Sequence, residues 1–185
     1  ANRDDGAGGM LFGGQGSSQP PFVDAPGGVQ FRGTPGLALA ASGEPLPLSA
    51  DGEATFLRGW TGNGVFVTAA AAGNGPDAWV DAGRVTDPSA VTGDAYEVVF
   101  DVGGGTTTYS GLRNGAPTAV AGAAWTAGQA IEFDGLALTV SGTPADGDRF
   151  EARPASRTQS IFDALDRAAT CLATAGRSDA QRAQV

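Results

Sequence analysis

Residues 128–172 read GQAIEFDGLALTVSGTPADGDRFEARPASRTQSIFDALDRAATCL, and the periodicity of hydrophobic residues changes within this stretch. Ile131 to Phe133 and Leu136 to Val140 are two short strand patterns separated by Asp134-Gly135, a pair that tolerates the positive φ angles of a type I′ hairpin turn. The turn-rich run from Gly142 to Asp148 returns the chain through a last strand, Arg149 to Ala152. Pro154, which lacks a backbone donor, then ends the sheet. From Thr158 onward the apolar residues Ile161, Phe162, Leu165, Ala168, Ala169 and Leu172 recur every three or four positions, which predicts a helix with one apolar face and Gly176 as its stop.

Upstream, from Phe22, the chain reads as strands with frequent punctuation. Val29 to Arg32, Leu37 to Ala41, Ala54 to Trp60, Val65 to Ala69 and Trp79 to Val85 each suit a short strand, set off by turn signals such as Asn63-Gly64 and Asn74-Gly75-Pro76. Tyr96 to Val102 alternates most clearly, Gly103-Gly104-Gly105 turns it into the threonine-rich run Thr106 to Leu112, and a weak run from Ala119 to Trp125 leads back to Gly128. The expected fold is mainly β, an antiparallel β-sandwich or distorted barrel of about ten short strands followed by an amphipathic α-helix. Its inward positions are expected at Phe31, Phe56, Phe66, Val67, Tyr96, Val98, Phe100, Ile131, Phe133, Leu136, Leu138, Val140 and Phe150.

Composition removes several function classes. The net charge is −9, and all eleven basic residues are arginines scattered along the chain, whereas nucleic-acid binding requires a concentrated basic footprint. No apolar run approaches the roughly 20 residues that span a bilayer, and no signal-peptide core opens the chain. Without histidine or lysine there is no Ser-His-Asp or Cys-His arrangement, imidazole metal site, Schiff base or phosphate-loop lysine. The single cysteine, Cys171, lies within the helical pattern and reads as a packing residue. Paired carboxylates remain, with Asp134, Asp146, Asp148 and Glu151 close in sequence, but the three aspartates occupy turn positions where their own backbone hydrogen bonds favour them. Asp146-Gly147-Asp148 lacks the further oxygens of a calcium loop. Trp60, Trp79 and Trp125 are each read as packing or edge residues before any sugar platform. No catalytic, cofactor or metal residue is nominated, and no Asn-X-Ser/Thr site occurs.

Residues 1–20 hold six glycines in their first sixteen positions, with Met10, Leu11 and Phe12 as the only large apolar cluster. This predicts a flexible connector, ordered only where Met10 to Phe12 finds a neighbour. Gly13-Gly14-Gln15-Gly16 has neither the spacing nor the Gly-Lys-Ser/Thr of a phosphate loop. The chain opens on Ala-Asn and closes on Gln-Arg-Ala-Gln-Val, and it is expected to be the middle piece of a longer protein.

Several of these segments carry a resemblance. GQAIEFDGLALTVSGTPADGDRF followed by RTQSIFDALDRAA, together with NRDDGAGGMLFGGQGSSQPPF at residues 2–22, is similar to the flagellar hook-associated protein family. The likeness is greatest to its third type, the hook-filament junction proteins. Val85-Thr86-Asp87-Pro88, Gly93 to Phe100 and Thr108-Tyr109-Ser110 fit the interval between them. The resemblance implies a glycine-rich connector from a helical rod over residues 1–20, an outward-projecting β domain over 21–155 and a truncated return helix of the rod over 156–185. It also implies a structural, extracellular, non-enzymatic protein of the bacterial flagellum, exported through the flagellar type III apparatus. Its partners would be the first hook-associated protein, flagellin and further copies of itself, with no nucleic acid and no membrane insertion. Ile161, Phe162, Leu165, Ala168, Ala169 and Leu172 would pack against rod helices, and the chain alone would be a monomer or weak dimer. Ser178-Asp179-Ala180-Gln181 looks like a capping box opening a further helix. Two rivals stay open. A carbohydrate-binding or adhesin-like β domain would need two exposed tryptophans in a row, and a carboxylate hydrolase would need two acids about 5 to 10 Å apart across a cleft.

Overall fold

The computed structural model describes residues 1–40 and 47–174. Ala41, the Gly176 stop and the Ser178 capping box lie outside the described residues. In chain order the elements are β1 (Phe22–Ala25), β2 (Gly28–Phe31), α1 (Gly52–Phe56), β3 (Gly59–Trp60), β4 (Phe66–Ala70), β5 (Ala78–Val80), β6 (Arg84–Val85), β7 (Tyr96–Gly103) and β8 (Thr106–Arg113). They continue as β9 (Ala116–Pro117), β10 (Ala123–Ala124), β11 (Ala130–Phe133), β12 (Leu136–Gly142), β13 (Arg149–Pro154), β14 (Arg157–Gln159) and α2 (Ile161–Thr174). The fold is mainly β, the β1–β2 pair and all pairs within the two larger sheets are antiparallel, and no sheet closes into a barrel among the described residues.

The chain divides into two compact units. One comprises Ala1–Gly59 with Arg157–Arg167, and the other Trp60–Ser156 with the described part of Ala168–Val185.

The first unit is organised by aromatic rings. Phe22 is 5% exposed and meets Phe31 and Phe56 at 5.3 Å and Phe162 at 5.5 Å, while Phe12 lies edge-on to Phe56 at 4.9 Å. Phe31 and Phe56 are half-buried, within this cluster. The glycine-rich start is tied down, because Met10 to Phe12 does find neighbours. Met10 N–H donates to Ser17 C=O at 2.8 Å, Ala50 N–H to Leu11 C=O at 2.8 Å, and the Asn2 amide exchanges two hydrogen bonds with the Phe22 backbone, at 2.7 and 2.9 Å. Residues 1–20 are therefore held at several points by hydrogen bonds, as composition allowed only where Met10 to Phe12 finds a neighbour.

Ala54 to Trp60 differs from the strand expected there. Asp51 caps a short helix, its carboxylate accepting from Ala54 N–H at 3.0 Å and, through its other oxygen, from Gly36 N–H at 2.8 Å. With Glu53 in the first turn, this is an N-terminal helix signal, and it outweighs the weak alternation around Phe56. Leu37 to Ala40 contributes only an isolated bridge, Leu39 to Pro47.

The second unit is a sandwich. Its larger sheet has the order β10-β8-β7-β13-β4, with β9 also on β8, and its smaller sheet has the order β11-β12-β5, with β6 also on β12. Tyr96, Val98 and Phe100 of β7 alternate inward, as does Phe150 of β13, and they meet Ile131, Phe133, Leu136, Leu138 and Val140 of the smaller sheet in one core. Val102, although in phase, is 38% exposed because β7 and β8 run on as a hairpin toward their glycine tip. Val67 is half-buried, on the opposite face of β4 from Phe66. Asp134 and Gly135 have φ of 36° and 80°, as a type I′ turn between β11 and β12 requires. Trp79 to Val85 is split, because the Asp81 carboxylate accepts from Gly83 N–H at 3.0 Å and Thr139 N–H at 2.9 Å, turning the chain between β5 and β6. β13 runs two residues past Ala152 to Pro154, which pairs opposite Phe66 at the strand's last position.

Candidate functional site

The helical stripe is the first candidate. Ser160 caps α2, its hydroxyl accepting from Asp163 N–H at 3.3 Å and its carbonyl from Ala164 N–H at 3.1 Å, so the helix begins where the apolar period begins. Phe162 turns onto Phe22 and Phe56, with ring centroids at 5.5 and 6.1 Å. Ile161, Leu165 and Leu172 face solvent at 47, 62 and 72% exposure, Ala169 is exposed, and Ala168 is half-buried. Three large aliphatic side chains on one short helix are thus uncovered.

A second candidate lies within the sandwich. A cleft of about 450 Å³ is lined by Glu132, Phe133 and Asp134 of β11 and its turn, by the segment Ala116 to Val120, and by Tyr96 and Arg113. The Tyr96 hydroxyl donates to Asp134 Oδ2 at 2.5 Å and accepts from Thr92 Oγ1 at 3.0 Å; burial pushes this phenol above its ordinary range, and the neighbouring carboxylate adds to the shift. Arg113 forks between Asp94, at 2.6 Å, and Asp134, at 3.2 Å. The Asn114 amide donates to Asp94 Oδ1 at 2.7 Å. Asp94 is held below the usual carboxylate range by the Asn114 amide first, then by Thr92 and the Arg113 guanidinium. Asp94 and Asp134 lie 19 and 21 residues from Arg113 in sequence, so no local motif announced them.

Because the folded pKa of Asp94 is depressed, its contribution to stability is complete above the unfolded value of about 3.9 and is lost as pH falls through the folded value. Thermal melts between about pH 3 and 6 should therefore show a steeper acid-side loss of Tm for the parent than for Asp94→Asn. Parallel curves for the two proteins would remove Asp94 from the account.

The carboxylates near Asp146 are engaged in turns. Asp148, 4% exposed, accepts from Gly75 N–H at 2.9 Å and Ala145 N–H at 2.8 Å. Asp146 accepts from Val102 N–H at 3.1 Å, and Glu151 pairs with Arg153. No group of three or more metal-ligand side chains occurs among the described residues. The tryptophans form no row. Trp60 lies in β3, Trp79 in β5 of the smaller sheet, and Trp125 packs edge-on against Phe100 at 5.5 Å beside the larger sheet. No described helix is long and apolar enough to cross a membrane.

Comparison with known proteins points one way. A family model described as flagellar hook-associated protein 1, D2-like domain, matches residues 69–154. No curated protein matches the sequence. The fold is similar to flagellar hook-associated protein 3 from Legionella pneumophila, at 26% identity and TM-score 0.83, over 99% of this chain and 59% of that one. It is similar to the flagellar junction protein FlgL from Legionella pneumophila at 25% identity and TM-score 0.83, over 99% and 62%. FlgL from Xanthomonas campestris gives 25% identity and TM-score 0.82, over 99% and 60%. The chain thus spans 59 to 62% of the length of these structures. A fold shared over 99% of its residues and a family model on residues 69–154 of its sandwich both make the chain similar to the flagellar hook-associated proteins.

Proposed function

We propose that the chain is part of a hook-filament junction protein, a structural component that adapts the hook-associated ring to the flagellin filament. The carrying observation is the fold shared over 99% of the chain with a structure described as a flagellar junction protein. In this role no bond is made or broken. The β sandwich is the outward-projecting part, and its acidic, turn-rich composition suits a solvated knob. Ile161, Leu165, Ala168, Ala169 and Leu172 pack against rod helices, with Phe162 anchoring α2 from its other side. The uncovered aliphatic side chains of α2 support this, because such a stripe is stable in water only when something covers it. The protein acts outside the cell after export through the flagellar apparatus, in contact with the first hook-associated protein, flagellin and further copies of itself. The described chain alone is a monomer or weak dimer.

The test is a pull-down of the full-length parent with purified first hook-associated protein and flagellin. It is run beside a form lacking residues 20–155 and a form carrying Leu165→Asp with Leu172→Asp. The deletion should retain binding, and the double substitution should lose at least about tenfold, since two buried aliphatic contacts give way to buried charges. Failure of the parent to bind either partner would overturn the reading. So would rings or tubes formed by the 185-residue chain alone.

A further inference from the structure

β11 ends the smaller sheet, and the direction of its free backbone groups can be deduced. Its register pairs Ala130 with Thr139 and Glu132 with Ala137. Thr139 turns both backbone groups away from β11, its carbonyl accepting from Asp81 N–H at 3.0 Å and its N–H donating to the Asp81 carboxylate at 2.9 Å. Ala130 opposite must likewise turn its own N–H and C=O away from β12, because in an antiparallel ladder the two residues of such a pair face apart. By the two-residue period the same holds for Glu132, whose partner Ala137 is paired with Arg84 of β6 on its far side. Two donors and two acceptors therefore point outward from β11, and neither residue has a hydrogen-bonding neighbour on that side among the described residues.

This edge runs beside the cleft of about 450 Å³, whose other wall is the Ala116 to Val120 segment. The wall is largely apolar, and Gly111 behind it leaves room for Phe133, since a Cβ there would come within 2.4 Å of that ring. The charge is one-sided. Glu132 is exposed with no ion pair among the described residues, Asp134 is 42% exposed, and Arg113, which lines the cleft, is already shared between Asp94 and Asp134.

We infer that the β11 edge is a docking site for an extended segment of a partner protein that carries arginine or lysine at alternate positions. Its backbone adds a strand at Ala130 and Glu132 and its basic side chains meet Glu132 and Asp134. Main-chain bonds would supply affinity, and the acids would supply selectivity. A second copy is the poorer occupant, because two β11 edges laid together bring acidic groups against acidic groups and leave no added cation between them. The inference does not depend on the junction role.

The test uses the 185-residue chain, isotopically labelled, titrated with the capped peptide Val-Arg-Val-Arg-Val and, separately, with Val-Glu-Val-Glu-Val. The arginine peptide should shift the amide resonances of Ala130 and Glu132 and slow their hydrogen exchange; the glutamate peptide should not. Ala130→Pro removes only an outward N–H and leaves the β11–β12 ladder intact, so it should weaken binding by about tenfold or more. Glu132→Gln should weaken it by about two- to fivefold, and it keeps the test decisive if the proline variant fails to fold. The inference is overturned by no shift at millimolar arginine peptide, by shifts confined to other strands, or by equal response to both peptides. Edge resonances that move with protein concentration alone would assign the edge to a second copy and equally overturn it.

Discussion

Replacing Phe150 with alanine is expected to destabilise the protein by about 3–5 kcal/mol and lower Tm by about 10–20 °C. The residue has no exposure and lies edge-on to Phe100 at 5.8 Å. Its strand, β13, is hydrogen-bonded on both sides, to β7 and to β4, so the backbone around the lost ring cannot close in to fill the space. Val102→Ala is the control. It sits on the same larger sheet at 38% exposure and should shift Tm by only a small fraction of that amount. Scanning calorimetry of both proteins decides the matter, and equal shifts would mean that the sandwich core is not where the stability resides.

Gly14→Ala should have the second large effect, in a segment that composition marks as a loose linker. Gly14 has φ of +75°, and a Cβ there would fall 1.6 Å from the Thr34 carbonyl oxygen. That oxygen is itself held, accepting from Gln15 N–H at 2.9 Å, while Gly14 N–H donates to Ala50 at 3.1 Å. Backbone meets backbone, so no rotamer change can relieve the overlap, and a loss of more than about 2 kcal/mol is expected. Gly16→Ala, also at positive φ but with open space around it, separates the conformational cost from the steric one. A melt of Gly14→Ala no lower than that of Gly16→Ala would show that the Thr34 contact carries no energy.

These two residues also mark what the sequence did and did not reveal. Phe150 was legible as core, because Phe150 and Ala152 alternate inward between clear turn residues. The β11–β12 hairpin was legible from Asp134-Gly135, and α2 from its spacing, since local rules fix both. Gly14 was not legible, because what holds it in place comes from Thr34 and Ala50, 20 and 36 residues away, and glycine itself carries no side chain to signal contact. The helix α1 went unread because its cap, Asp51, stands before a run that alternates weakly enough to pass for a strand. At the candidate sites the division is the same. The apolar stripe of α2 could be read from spacing, although not that Phe162 turns away from Ile161 and Leu165 to join the rings of Phe22 and Phe56. The Asp94–Arg113–Asp134 network and the open edge of β11 arise only from strand order.

The place of β13 sets the order in which the sandwich can be made. It lies between β7 and β4 in the larger sheet, yet it is the last of that sheet's strands to be synthesised. Until residues 149–154 are available, β7 and β4 lack the strand that joins them, and the pairing that does so spans about 80 residues between Phe150 and Ala70. The hairpins β7–β8 and β11–β12 can form early from local contacts, but the closed core waits for the final strand. A nascent chain that has not yet released that segment therefore stays open, and folding of this unit is gated by its last strand.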